Sequence, residues 1–394
     1  MPISTEKSGD RHRGDLLIVK PTSLKYSRDV KCLTSLRFFA AAWVVLLHFS
    51  HELPMAVTDL TQFFENGRLG VDFFFVLSGF ILSHVYLTSL EEDRFSFRRF
   101  IQKRLARLYP LHLVCILLVA GYIGAGALVG VSVSNPEVYS LDRLGYNLLL
   151  MHAWGVVDGM SWNYVSWSIS AEWFAYLLFL PMSMLFVRWQ VRSSLKLLGA
   201  MAFLVFMVVA SPSVFGRDLT QLTHDFGNMR ILPEFILGIA LYHFSNDHDV
   251  DAVLGPWLLA LAVIALAAIA HYDLNGFWAV VLLAFIIFAS SSLERQGKLG
   301  FLGNRVLVYL GETSYSLYML HAIVFIVYFK SLDVVFGDQL RSVIWYLAPL
   351  VIPLSFAAAS VGYHVVEVPC RRWITERIDL DSVFRWPRSH TVPD

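Results

Sequence analysis

Apolar residues along this chain gather into long runs separated by short polar connections. About twenty mostly apolar helical residues are needed to cross a hydrocarbon core. Runs of about that kind lie near 33–50, 68–90, 109–131, 166–188, 194–211, 229–245, 251–270, 276–292, 306–329 and 341–366, the eighth of them short. The pattern predicts an all-α, polytopic transmembrane helical bundle of about ten spans.

Composition agrees with that pattern. Of 394 residues, 56% are hydrophobic and only 16% charged, an apolar excess that must face lipid. Formal net charge is zero, so no global field points to nucleic acid or to an acidic, cation-binding surface. Cys32, Cys115 and Cys370 lie far apart, without the paired spacing of a zinc or redox motif, and no metal is expected. Residues 1–32 are polar, mixed in charge and without a signal-type cleavage site, and are expected to form a disordered cytosolic extension. Residues 33–370 form the expected membrane domain and 371–394 a cytosolic tail.

Charge decides the expected orientation. Residues 1–32 carry seven Lys and Arg and the EEDRFSFRRFIQKRLAR connection six, whereas HELPMAVTDLTQFFENG between the first two spans carries none. Positive loops stay inside, so both termini are expected in the cytosol. NDHDVD is an acidic exception on the inner side, and 132–165 falls on the outer side as an amphipathic or re-entrant piece.

Against this background a few polar residues stand out, because ionisable groups inside a bilayer are costly and usually face a cavity or a partner. Ten apolar residues separate Arg37 from His48 in RFFAAAWVVLLHF. On a helix that spacing puts them roughly 16 Å apart along the axis and about 20° apart around it. A snorkelling arginine and a hydrogen-bonded structural histidine are the alternative, and His51 is read as structural. Arg98, Arg99, Lys103, Arg104 and Arg107 cluster in SFRRFIQKRLARLYP, either as a topological and lipid-headgroup signal or as a phosphate-binding surface. Glu172, in NYVSWSISAEWFAYLLFLP, lies at a depth comparable with His48 and is a candidate to orient that imidazole. Its alternative is a packing hydrogen bond to Trp or Tyr. In GETSYSLYMLHAIVFIVYF, Tyr315 and His321 are candidate acceptor contacts, while Ser314 and Ser316 read as interhelical glue. Asp72 in GVDFFFVLSGFILS is a suspicious buried acid, and Ser78 and Gly79 read as close-packing positions.

As a set and in this order, LTSLRFFAAAWVVLLHF, GVDFFFVLSGFILS, RLARLYP, WSISAEWFAYLLF, YSLYMLHAIV and YHVVEVPCRRW resemble the acyltransferase 3 family of integral membrane acyltransferases, over roughly residues 33–375. The resemblance implies O-acylation, commonly acetylation, of a carbohydrate or glycolipid hydroxyl such as those of exopolysaccharide or lipopolysaccharide O-antigen. It implies a cytosolic acyl-CoA donor, acetyl-CoA by default, and a multi-pass place in the cell membrane, the inner membrane in a Gram-negative bacterium. Arg37 and His48 would be the essential pair, Arg104 and Arg107 the family's diarginine element that binds the donor with Arg37, and Glu172 the acidic position of the fourth-span motif. Trp167 and Ser170 of the same motif join Tyr315 and His321 as expected acceptor contacts. Polysaccharide-assembly proteins are expected partners for a chain without an appended extracytoplasmic hydrolase-like domain.

As general base, His48 would take the acceptor hydroxyl proton; as nucleophile, it would itself be acylated first. A small glycosylated metabolite would serve as acceptor with nearly the same sequence. A transporter or flippase would also carry Arg, His and Glu in its helices, although no pair of interrupted helices in two internal repeats is visible. A catalytically silent scaffold would tolerate loss of Arg37 or His48.

Overall fold

The computed structural model describes residues 30–53, 60–128, 130 and 135–377. The expected N-terminal extension and the C-terminal tail therefore lie largely outside the described residues. Every expected apolar segment is helical, and no strand occurs among the described residues. In chain order the helices are α1 (Lys31–His51), α2 (Leu69–Glu91), α3 (Phe97–Leu128), α4 (Leu141–Leu148), α5 (Trp167–Arg188), α6 (Ser193–Phe215), α7 (Gly227–Asp247), α8 (Gly255–His271), α9 (Gly276–Arg295), α10 (Arg305–Glu312), α11 (Ser314–Phe336), α12 (Leu340–Leu347), α13 (Val351–Val361) and α14 (Val368–Arg377). Seven helical stretches among the described residues are long and apolar enough to cross a bilayer. The last of these, Ser314–Arg377, joins the final two expected spans.

The helices depart from the hydropathy pattern in three places. The basic segment before the third span is no separate element: α3 runs unbroken for 32 residues, about 48 Å, from Phe97 past Arg104, Arg107 and Pro110. The run at 306–329 divides at Thr313 into α10 and α11. The run at 341–366 becomes α12, a 3₁₀ turn over Ala348–Leu350 and α13, because Pro349 and Pro353 each remove a backbone donor where a continuous helix would need it. A π-helical turn, Gly362–Glu367, follows α13 and brings the buried Glu367 against α11.

Among the described residues of the 132–165 connection lies one short α-helix. α4 turns Asn147 inward and leaves Leu141, Tyr146 and Leu148 exposed, an apolar face suited to an interface.

Small residues set how closely the central helices approach. A Cβ on Gly79 would overlap the Phe235 carbonyl oxygen, and one on Gly238 would overlap that of Val76, so α2 and α7 meet backbone to backbone. Ser78, beside Gly79, sends its hydroxyl to Glu172 of α5. α7 is the polar member of the core. Its Arg230 is fully buried and forked onto the equally buried Asp72 of α2, with Nε to Oδ1 at 2.9 Å and Nη2 to Oδ2 at 2.7 Å. The same guanidinium donates to the carbonyls of Arg68 and Leu222 and lies 5.3 Å from the Trp167 ring. This pairing explains the suspicious acid at Asp72: it closes an interhelical ion pair.

Candidate active site

Where α1, α2, α3, α5 and α11 converge, they leave a cavity of about 270 Å³. Arg37 of α1, Arg104 and Arg107 of α3, and Glu172 and Tyr176 of α5 line it, together with Ser78 of α2. The helical repeat accounts for the grouping. Arg104 and Arg107 lie three apart and so share a face of α3, and Glu172 and Tyr176, four apart, share a face of α5. Residues far apart in sequence and read separately, Arg37, Arg104, Arg107 and Glu172, thus become walls of one chamber.

The charges in this chamber are unevenly satisfied. Glu172 accepts a hydrogen bond from the Ser78 hydroxyl at 2.8 Å and another from the Tyr176 hydroxyl. Arg104 is sandwiched among the rings of Tyr86, Phe100 and Tyr176 at 5.8–5.9 Å, a cation–π setting that fixes its plane. Arg37 and Arg107, by contrast, make no hydrogen bond or ion pair with any described residue, although Glu172 and Glu367 act on both electrostatically. Two cations near each other in a low-dielectric site repel, and an anion between them is the arrangement that relieves the cost. Glu367 is held in turn by the Ser316 hydroxyl at 2.9 Å and by Arg371 at 3.8 Å.

His48 lies elsewhere, further along α1, and does not line the cavity. Its Nδ1 is 3.0 Å from the Val44 carbonyl and 3.0 Å from Nε2 of His321. His321 Nδ1 is 3.2 Å from the Leu317 carbonyl. A carbonyl only accepts, so both Nδ1 atoms carry the proton, and the network assigns the tautomers. His48 Nδ1–H is then shared between the Val44 carbonyl and His321 Nε2, both acceptors, and His48 Nε2 keeps a lone pair with no partner among the described residues. Tyr164 meets the His48 ring edge-on at 5.2 Å.

Glu172 thus has hydroxyl partners in the cavity and no described contact with His48; the imidazole of His321 occupies the orienting position expected for that carboxylate. Tyr315 lines the cavity, and its hydroxyl donates to the Leu108 carbonyl at 2.6 Å. Trp167 lies beneath Arg230, and Ser170 donates to the Leu150 carbonyl at 2.9 Å and accepts from the Ala153 amide at 3.1 Å. Neither Trp167 nor Ser170 is a cavity wall. His51 pairs with Glu65 at 2.7 Å on the exposed side, as its structural reading anticipates. Sequence reasoning passed over Ser78 as a packing residue and did not single out Tyr176 or Glu367. A signal existed for Glu367, a lone acid at the end of an apolar run.

Comparison with known proteins follows the same lines. The chain is 29% identical over 372 residues to "Acyltransferase MdmB" of Streptomyces mycarofaciens, an alignment covering 88% of this chain and 92% of that protein. It is 24% identical over 383 residues to a "Putative O-acetyltransferase" of Staphylococcus aureus (strain COL), covering 89% of this chain but 59% of the longer relative. "Protein 2 in picA locus" of Rhizobium radiobacter is 29% identical over 166 residues, 38% of this chain and 84% of that protein. No solved structure matches the chain. The family described as "Acyltransferase domain" matches residues 30–364, a stretch that holds every wall of the arginine cavity and both imidazoles, and the chain therefore belongs to the acyltransferase 3 family.

Proposed function

We propose that this protein transfers an acyl group, acetyl by preference, from cytosolic acyl-CoA to a hydroxyl of a carbohydrate or glycolipid acceptor reached from the outer face of the bacterial cell membrane. The observation that carries this reading is the pair of guanidiniums, Arg37 and Arg107, that line one cavity without an ion partner, Arg37 lying on the helix that also bears a histidine with a free Nε2. The names of the relatives support the reaction class: one is named "Acyltransferase" and another "Putative O-acetyltransferase".

The donor's phosphates would meet Arg104 and Arg107 on the cytosolic side, and its thioester arm would run past Arg37 toward His48. Arg37 and His48 are about 16 Å apart along one helix, a span suited to a long flexible arm. In transfer, the acceptor O–H bond breaks and its proton passes to His48 Nε2. The acceptor oxygen bonds to the acyl carbon, the carbon–sulfur bond breaks, and the thiolate leaves and takes up the proton that His48 returns. His321 keeps the Nδ1 proton of His48 in place, so the free nitrogen is the one that acts.

The test is acceptor-dependent release of free CoA from acetyl-CoA by the full chain in lipid nanodiscs, with mass spectrometry of surface glycans and extractable metabolites from a deletion strain to find the acceptor. Loss of one acetyl mass from a glycan names a polysaccharide acceptor, and loss from a small glycosylated metabolite names that instead. Movement of an intact solute without thioester consumption would replace the enzyme reading with transport.

A further inference from the structure

Tyr318 of α11 belongs to both halves of the site. It lines the arginine cavity, and its ring packs 6.0 Å from that of His321, whereas neither His321 nor His48 lines the cavity. Tyr318 is 6% exposed, and its hydroxyl donates to the Val165 carbonyl at 2.9 Å. Val165 is the middle residue of the 3₁₀ turn Tyr164–Ser166, whose first residue touches the His48 ring. The turn is fixed independently, by Ser166 Oγ to the Asn163 carbonyl at 2.7 Å and by Asn163 Nδ2 to the Met319 carbonyl at 3.1 Å. One aromatic ring, tied at its far end, therefore touches both the donor chamber and the histidine pair.

We propose that Tyr318 is a specificity-determining partition that keeps a thioester in the arginine cavity away from water activated at His48 until an acceptor is seated. The inference rests on the proposed function and adds to it the selection of an alcohol over water. A general base that deprotonates a hydroxyl also deprotonates water. In that side reaction the water O–H proton passes to His48, the hydroxide oxygen bonds to the acyl carbon, and free acid and CoA thiol leave. Enzymes that handle energy-rich intermediates suppress such a loss by excluding water.

Acetyl-CoA alone, with no acceptor added, is the probe, on the full chain in nanodiscs. Tyr318→Ala should raise free-CoA release on the order of 10²-fold over wild type at equal donor occupancy, the lower end of what a general base contributes. Adding His48→Ala should remove that increment. Tyr318→Phe, which keeps the ring but loses its tie to the Val165 carbonyl, should raise release less than Ala does, and Tyr318→Leu should behave like Ala and serves if Ala does not fold. Unchanged release in folded Ala or Leu variants would overturn the partition, as would a rise that survives His48→Ala. Failure of both variants to fold would make Tyr318 structural only and equally overturn it. Wild-type protein that binds no acetyl-CoA would sink the donor reading on its own and take this inference with it, a failure read before any variant is made.

Discussion

His321 Nε2 stands 3.0 Å from His48 Nδ1, and the chain brings these two imidazoles together from helices 273 residues apart. Under the proposed transfer, with His48 as the acting base, this contact gives His321 the part of a positioning residue. His48→Ala in folded protein should lower transfer by about 10²–10⁴-fold, the range of general acid–base catalysis, with donor affinity intact. His321→Ala should lower kcat by about 10–100-fold, as loss of an orienting partner does, and leave the donor KM unchanged. A purely structural His321 would reduce the yield of folded protein and leave kcat per folded molecule untouched.

The arginines should fail differently. Arg37→Ala and Arg107→Ala should each raise the donor KM by about 10–100-fold, the equivalent of roughly 1.5–3 kcal/mol for a charge-assisted contact. Arg107→Lys should recover only part of that loss, since an ammonium offers no planar fork. Titration calorimetry with acetyl-CoA reads this directly. Unchanged affinity in inserted Arg37→Ala and Arg107→Ala proteins would return both side chains to a lipid or topological role.

Much of this was legible in the sequence because membrane helices reveal themselves by composition, and because an ionisable residue in an apolar run is conspicuous. Arg37, His48, Arg104, Arg107 and Glu172 were all visible for that reason. Their partners were not, because partnership depends on which helix faces meet. Glu172 and His48 lie at similar depth in a linear reading, yet the packing of α2 against α5 hands Glu172 to Ser78, beside its own helix's Tyr176, and the packing of α1 against α11 gives His48 to His321. The division of the last two spans was equally hidden, since hydropathy averages over the break at Thr313 and over Pro349 and Pro353. Arg230 sat in plain sight within an expected span, and only its fork onto Asp72 explains how a charge is tolerated there.

That fork carries its own prediction. Asp72→Ala strands a fully buried guanidinium and should destabilise the protein by about 3–5 kcal/mol, whereas Asp72→Leu with Arg230→Met should recover most of the loss. Thermal unfolding in a single detergent compares the three proteins. If the single and double variants melt together, the pair is not an interhelical clamp.

Direction of transfer is decided by which end of the bundle faces the cytosol. Lys and Arg crowd the α2–α3 connection, whereas residues 51–67 carry none, and the positive-inside bias predicts Arg99 in the cytosol and Leu60 outside. Both positions are exposed, Leu60 at 69%, so a cysteine at either is open to reagent. Cys32 and Cys115 are buried and stay silent, and only the half-buried Cys370 needs replacement by Ser to give a clean background. In intact cells Leu60→Cys should react with a membrane-impermeant maleimide, and Arg99→Cys should react only after permeabilisation. The opposite labelling would place the arginine cavity's basic helix on the outer face, where no cytosolic acyl-CoA reaches it, and the donor would then have to be sought among outer-face acyl carriers.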